Sequence, residues 1–82
     1  MSDMEFKVGR VYRAKKPKAC GLFPALYDDR MILWIGLNQI QYDSPSIKNG
    51  RTYPKVSLEK FQKWVAEDIT DEIPKGEWAE FK

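Results

Sequence analysis

The run Met31-Ile32-Leu33-Trp34-Ile35 is the longest apolar stretch in the chain, and it stops at Gly36. A short continuous apolar run closed by a turn residue fits a central strand covered on both faces better than a strand with one face in water. The rest of the chain must be arranged around it. With 82 residues there is room for one core, which removes only somewhat more than roughly 60% of the unfolded surface from water. At 43% hydrophobic and 32% charged, the composition is that of a folded domain and not of a disordered chain. The sequence therefore predicts a single domain over 1–82, with its core at about 6–69 and an acidic, aromatic tail at 70–82.

Local signals supply the neighbours of the central strand. Phe6 to Ala14 is rich in β-formers, and its apolar alternation changes phase after Gly9, which predicts a first strand with a bulge at the glycine. Residues 15 to 29 hold two prolines, a glycine and the pair Asp28-Asp29. They predict a long connection whose Leu22-Phe23 and Ala25-Leu26-Tyr27 groups fold back onto the core. Ile40 and Tyr42, two apart around Gln41, predict a strand over Asn38 to Asp43, joined to the central one by a hairpin through Gly36-Leu37-Asn38. Asn49-Gly50 predicts a type I′ turn setting Lys48 opposite Arg51, and it leads into a strand from Thr52 to Val56 that Pro54 places at an edge.

Ser57 is an N-cap for a helix predicted over Leu58 to Asp68, with Val56 packing on Phe61 as a hydrophobic staple. Leu58, Phe61, Trp64 and Val65 form its apolar face, and Glu59, Lys63 and Glu67 stand four apart on the other. In the tail, Pro74-Lys75-Gly76 reads as a turn, with Ile73, Trp78 and Phe81 as anchors onto the body. Strands first and one helix late predict an α+β domain: a small bent antiparallel β-sheet, or a partial SH3-like barrel, with one C-terminal α-helix packed on it.

Several chemistries are excluded. The chain has no histidine, so neither Cys20 nor any serine has an imidazole partner, and Ser-His and Cys-His triads cannot form. One cysteine and no histidine also fail the usual structural zinc sets and allow no intrachain disulfide, which favours a reducing, cytoplasmic setting. The five glycines are isolated, so no phosphate-cradling loop is present. Asp28-Asp29 reads as a solvated turn before a magnesium site, and Cys20 as a small buried hydrophobe before a reactive thiol. No run approaches the roughly 20 residues of a membrane span, and the opening MSDMEFK is too polar for a signal peptide. The expectation is a protein without enzymatic activity, cofactor or metal, and without a membrane partner.

Charge is unevenly spread. Residues 1 to 20 carry six cations against two acids, residues 48 to 63 five against one, and residues 66 to 82 two against six. Two surfaces follow from this. A basic face built from Arg10, Arg13, Lys15, Lys16 and Lys18 with Lys48, Arg51 and Lys55 would track phosphates, with Tyr12, Tyr42 or Tyr53 stacking on bases. Against it, no recognised nucleic-acid motif is present, and the pI of 8.7 is below that of a dedicated binding domain. Alternatively, the same residues would take an extended segment of a protein partner along the Pro54 edge, or the acidic tail of a second copy. Protein binding is the first expectation and nucleic-acid binding the second.

Read as one unit, QYDSPSIKNGRTYPKVSLEKFQKW through DITDEIPKGEW resembles short uncharacterised proteins encoded by phages and prophages. The elements of the likeness are Tyr42-Asp43, the Gly50 turn, Tyr53-Pro54, the Phe61 and Trp64 helix face, and the closing Pro74 to Trp78. All are structural in kind, and none is catalytic. The resemblance implies a small cytoplasmic accessory protein that acts by binding.

Overall fold

The computed structural model describes residues 5–21, 24–47, 52–73 and 77–81. Along the chain run β1 (Val11–Ala14), β2 (Ala19–Cys20), β3 (Leu26–Tyr27), β4 (Arg30–Ile35), β5 (Gln39–Asp43), β6 (Lys55–Ser57), α1 (Leu58–Trp64) and β7 (Val65–Asp68). A 3-10 turn at Thr70–Glu72 follows. Five strands form an antiparallel sheet in the order β6-β5-β4-β1-β7, and β2 and β3 make a separate small hairpin. The fold is α+β with one helix packed on the sheet. β6 and β7 are its two edges, so the sheet is open.

β4 holds the central place that its apolar run predicted, but it is not covered on both faces throughout. Ile32 is fully buried, whereas Trp34 and Ile35 are 44% and 37% exposed. The cause is a bulge. Ile32 pairs with Tyr42 and Trp34 with Gln41, so Leu33 is an extra residue and the side-chain alternation changes phase beyond it. Trp34 thereby shares a face with Gln41 and, one strand further, Lys55.

The first strand is shorter than predicted. It begins at Val11, because Gly9 sits at φ +88° in a turn and not in a bulged strand, donating its N–H to the Ile32 carbonyl at 2.8 Å. Phe6 still reaches the core, edge-on to Tyr12 at 5.4 Å and to Phe61 at 5.0 Å. The hairpin through Gly36 to Asn38 forms with Gly36 N–H donating to the Gln39 carbonyl. The Asn49-Gly50 turn lies outside the described residues, as do Leu22-Phe23 and Pro74-Lys75-Gly76.

The helix starts where the sequence places it: Ser57 Oγ accepts from Lys60 N–H at 3.1 Å. It ends earlier, however, at Trp64, because Val65 turns extended (φ −77°, ψ 138°) and residues 65–68 pair with β1 as β7. The Lys63–Glu67 helix pair therefore does not exist, while Lys63 and Glu59 meet at 3.1 Å. Tyr12, Ile32, Ile40, Phe61 and Val65 form the core under the helix, with Phe6, Val56, Leu58 and Trp64 packed against it.

Among the described residues, the other face of the sheet is roofed beside β3. Tyr27 N–H donates to Ala79 and Phe81 N–H to Ala25, so residues 79–81 run beside β3, with the Tyr27 and Phe81 rings 4.9 Å apart. The tail packs on its own domain.

Candidate interaction surface

Strand alternation decides which of the expected basic residues can act. Tyr12 points into the core and is fully buried. Its hydroxyl donates to the Glu5 carbonyl and accepts from Lys7 N–H. It cannot stack on a ligand, which corrects the sequence expectation. Neighbouring Arg13 points to the opposite face and meets Asp29 through two hydrogen bonds, Nε to Oδ1 at 3.0 Å and Nη2 to Oδ2 at 3.1 Å. The Tyr27 ring lies against this guanidinium at 3.7 Å. Burial pushes the Asp29 carboxyl above its ordinary range, against the pull of those two bonds. Arg13 is thus a structural cation.

Arg10 is similarly engaged. Its Nε donates to Asp68 at 2.8 Å and its Nη2 lies 3.5 Å from Asp71. Asp68 is pulled up by burial, but hydrogen bonds from Arg10 and from the Thr70 hydroxyl and N–H outweigh this and hold it below its ordinary value. Two of the three arginines of the expected phosphate face, Arg10 and Arg13, are therefore bound to acids from within the chain. Lys15 and Lys16 are exposed beyond β1, Lys55 is exposed on β6, and two strands separate them in the sheet. At ~4.8 Å per strand step that is a gap of ~14 Å. Lys48 and Arg51 lie outside the described residues.

What the fold brings together is a cation–aromatic pair on the sheet face opposite the helix, with exposed side chains toward either end of the β5–β6 ladder. Lys55 Nζ stands 5.2 Å over the Trp34 ring, and Gln41 between them donates its Nε2 N–H to the Tyr53 carbonyl at 3.1 Å. Tyr53 is 45% exposed, and Leu37 at the hairpin tip is 96% exposed. The indole's six-membered ring lies against Gly36 so closely that a Cβ there would overlap it. Trp34 is consequently exposed yet fixed. The sequence names Tyr53 and Lys55 but reads Trp34 as core, and the only local sign otherwise is its place two residues before a turn glycine.

Other features do less. The Cys20 thiol is pushed up by burial and points to the Tyr27 carbonyl at 3.8 Å, the reverse of an activated thiolate. Asp28 accepts from Lys18 N–H, and with Asp29 bound to Arg13 the acidic pair is occupied. Among the described residues no cluster has the make-up of a metal site, and no helix is long and apolar enough to cross a membrane. An open cleft of about 390 Å³ between Tyr27, Trp78, Glu72 and Glu77 has the committed Arg13 on its wall. Compared with protein-family models, with curated proteins and with solved structures, the chain matches none.

Proposed function

We propose that this protein is a non-enzymatic binding module whose partner is another protein, held on the sheet face opposite the helix by Trp34 and Lys55, with Leu37 and Tyr53 flanking them toward the two ends of the β5–β6 ladder. The observation that carries this reading is the exposed indole braced on Gly36 with an ammonium above it. Trp and Tyr dominate the energetics of protein interfaces because one rigid ring removes much apolar area from water at little entropic loss. An apolar tip such as Leu37 suits a protein surface and offers nothing to a phosphate backbone. The engagement of Arg10 and Arg13 by Asp68, Asp71 and Asp29 weighs the same way, since a nucleic-acid groove needs its cations free. A cytoplasmic accessory role, of the kind the resemblance to phage proteins implies, belongs to the same proposal.

The test is retention of proteins from lysate on the immobilised chain after nuclease treatment. Trp34→Ala, and Gly36→Ala, which dislodges the indole, are expected to lose the retained partner while circular dichroism stays native. Retention that vanishes with nuclease, or that survives Trp34→Ala, overturns the reading.

A further inference from the structure

Arg30 opens β4 on the helix side of the sheet, two residues before the buried Ile32 and across from Tyr12 on β1. Two aromatic rings from different elements enclose it. Its guanidinium carbon is 4.4 Å from the centre of the Tyr42 ring, on β5, and 4.1 Å from that of Trp64, the last residue of α1. Trp64 is itself braced by Phe61 at 5.2 Å. Among the described residues no carboxylate reaches ion-pair distance of Arg30, and none of its side-chain N–H groups has an acceptor. Asp28, the one acid whose field is felt there, accepts from Lys18 N–H. Yet among the described residues no buried side-chain nitrogen or oxygen lacks a partner. The guanidinium nitrogens of Arg30 are therefore not buried without a partner, while two ring centres lie within 4.4 Å of its carbon.

This arrangement has a chemical consequence. A guanidinium carries five N–H donors in its own plane, and ring faces satisfy its charge without occupying any of them. Stacking also fixes the plane, so little side-chain freedom is lost when a second group pairs edge-on. Burial pushes Arg30 below its ordinary value, with Tyr42 and Asp28 pulling the other way. Arg13 on the opposite face has the same stacking and shows the finished state, with both carboxylate oxygens of Asp29 seated on its fork.

We infer that Arg30, clamped between Tyr42 and Trp64, is a receptor for an oxyanion that presents two oxygens to the guanidinium edge, a carboxylate or a phosphate group. This site is on the side of the sheet opposite Trp34 and does not depend on the protein-binding reading. An acidic side chain and a phosphate ester both supply the two oxygens.

The test follows the Arg30 Nε–Hε resonance and the Trp64 indole N–H by NMR. Inorganic phosphate and, separately, acetate are titrated into the intact protein through the millimolar range, with sodium chloride holding ionic strength constant. A saturable shift of Arg30, with Arg13 unmoved, is expected for at least one probe. Phosphate alone assigns a phosphate ligand, acetate alone a carboxylate, and both the shared chemistry. Arg30→Lys keeps the charge but loses the fork, and is expected to bind roughly tenfold or more weakly. Should that variant fail to fold, the wild-type Arg30 shift decides the matter. An Arg30 resonance indifferent to both probes, or an Arg30→Lys protein that binds equally well, overturns the inference.

Discussion

Arg13 and Arg30 sit on adjacent strands of one sheet and face opposite ways. Each has an aromatic ring against its guanidinium, Tyr27 at 3.7 Å for the first and Tyr42 and Trp64 at 4.4 and 4.1 Å for the second. Only Arg13 also has a carboxylate, that of the fully buried Asp29. The difference teaches that stacking and ion pairing are separate jobs here. A ring can hold an arginine in place, but only an acid consumes its hydrogen bonds. Arg13 is an internal tie between β1 and the start of β4, whereas Arg30 keeps an unspent edge.

The sharpest way to break this comparison is to remove each arginine in turn. Arg13→Met strands the ionised Asp29 in the interior and is expected to cost roughly 3–5 kcal/mol, read as a fall in the urea midpoint. The loss should be largely recovered in Arg13→Met/Asp29→Leu, because a buried pair replaced by apolar groups leaves no charge uncompensated. If the double variant is as unstable as the single one, the destabilisation has another source. Arg30→Met strands no acid. Losing a partly desolvated cation–π sandwich is expected to cost only ~1–2 kcal/mol, and a loss equal to that of Arg13→Met would erase the distinction.

How much of this was legible in the sequence depends on the range of the interaction responsible. The Ser57 cap and the Gly36 hairpin are set by residues within a few positions of one another, and the sequence shows them; the edge strand expected over Thr52 to Val56 forms only at Lys55–Ser57, beyond Pro54. The central place of β4 is legible too. The early end of α1 is not, since Ala66 and Glu67 are compatible with a helix and it is pairing with distant β1 that pulls Val65 to Asp68 straight. Trp34 is exposed because the run that predicts a strand covered on both faces is not covered at that end, where the Leu33 bulge turns it to the face opposite the helix. Arg13 and Asp29 are 16 residues apart. Nothing local distinguishes them from the solvated cations and turn acids around them, so charge density alone does not show that Arg10 and Arg13 of the expected basic face are internal ties.

Arg10 offers a case between the two, paired with an acid but open to water. Asp68 is held below its ordinary value of 3.8, so the folded state keeps this carboxylate ionised to lower pH than the unfolded chain does. Its contribution is fully present above the unfolded value and is lost as pH falls through the lowered one. Asp68→Asn is expected to flatten the acid limb of a stability–pH curve below about 3.8. Asp29, raised by burial, runs the other way: its folded form takes up a proton more readily, so that group gains stability as pH falls through its raised value. An unchanged acid limb in Asp68→Asn would show that the Arg10 tie is lost in solution.

The smallest effect is expected where a cation stacks with neither burial nor an acid. Lys55 Nζ stands 5.2 Å over the exposed Trp34 ring, and among the described residues no carboxylate pairs with it. Water screens such a contact, so Lys55→Met should change stability by about 0.5 kcal/mol or less, since exposed cation–π pairs sit at the low end of the range. Its consequence lies elsewhere. If the aromatic patch receives a protein partner with an acidic rim, removing the ammonium should slow association and reduce its salt dependence while barely altering the urea midpoint. A large stability loss in Lys55→Met would make the Trp34 contact a structural tie of the Arg13 kind, and the sheet face opposite the helix would then have to be counted as closed.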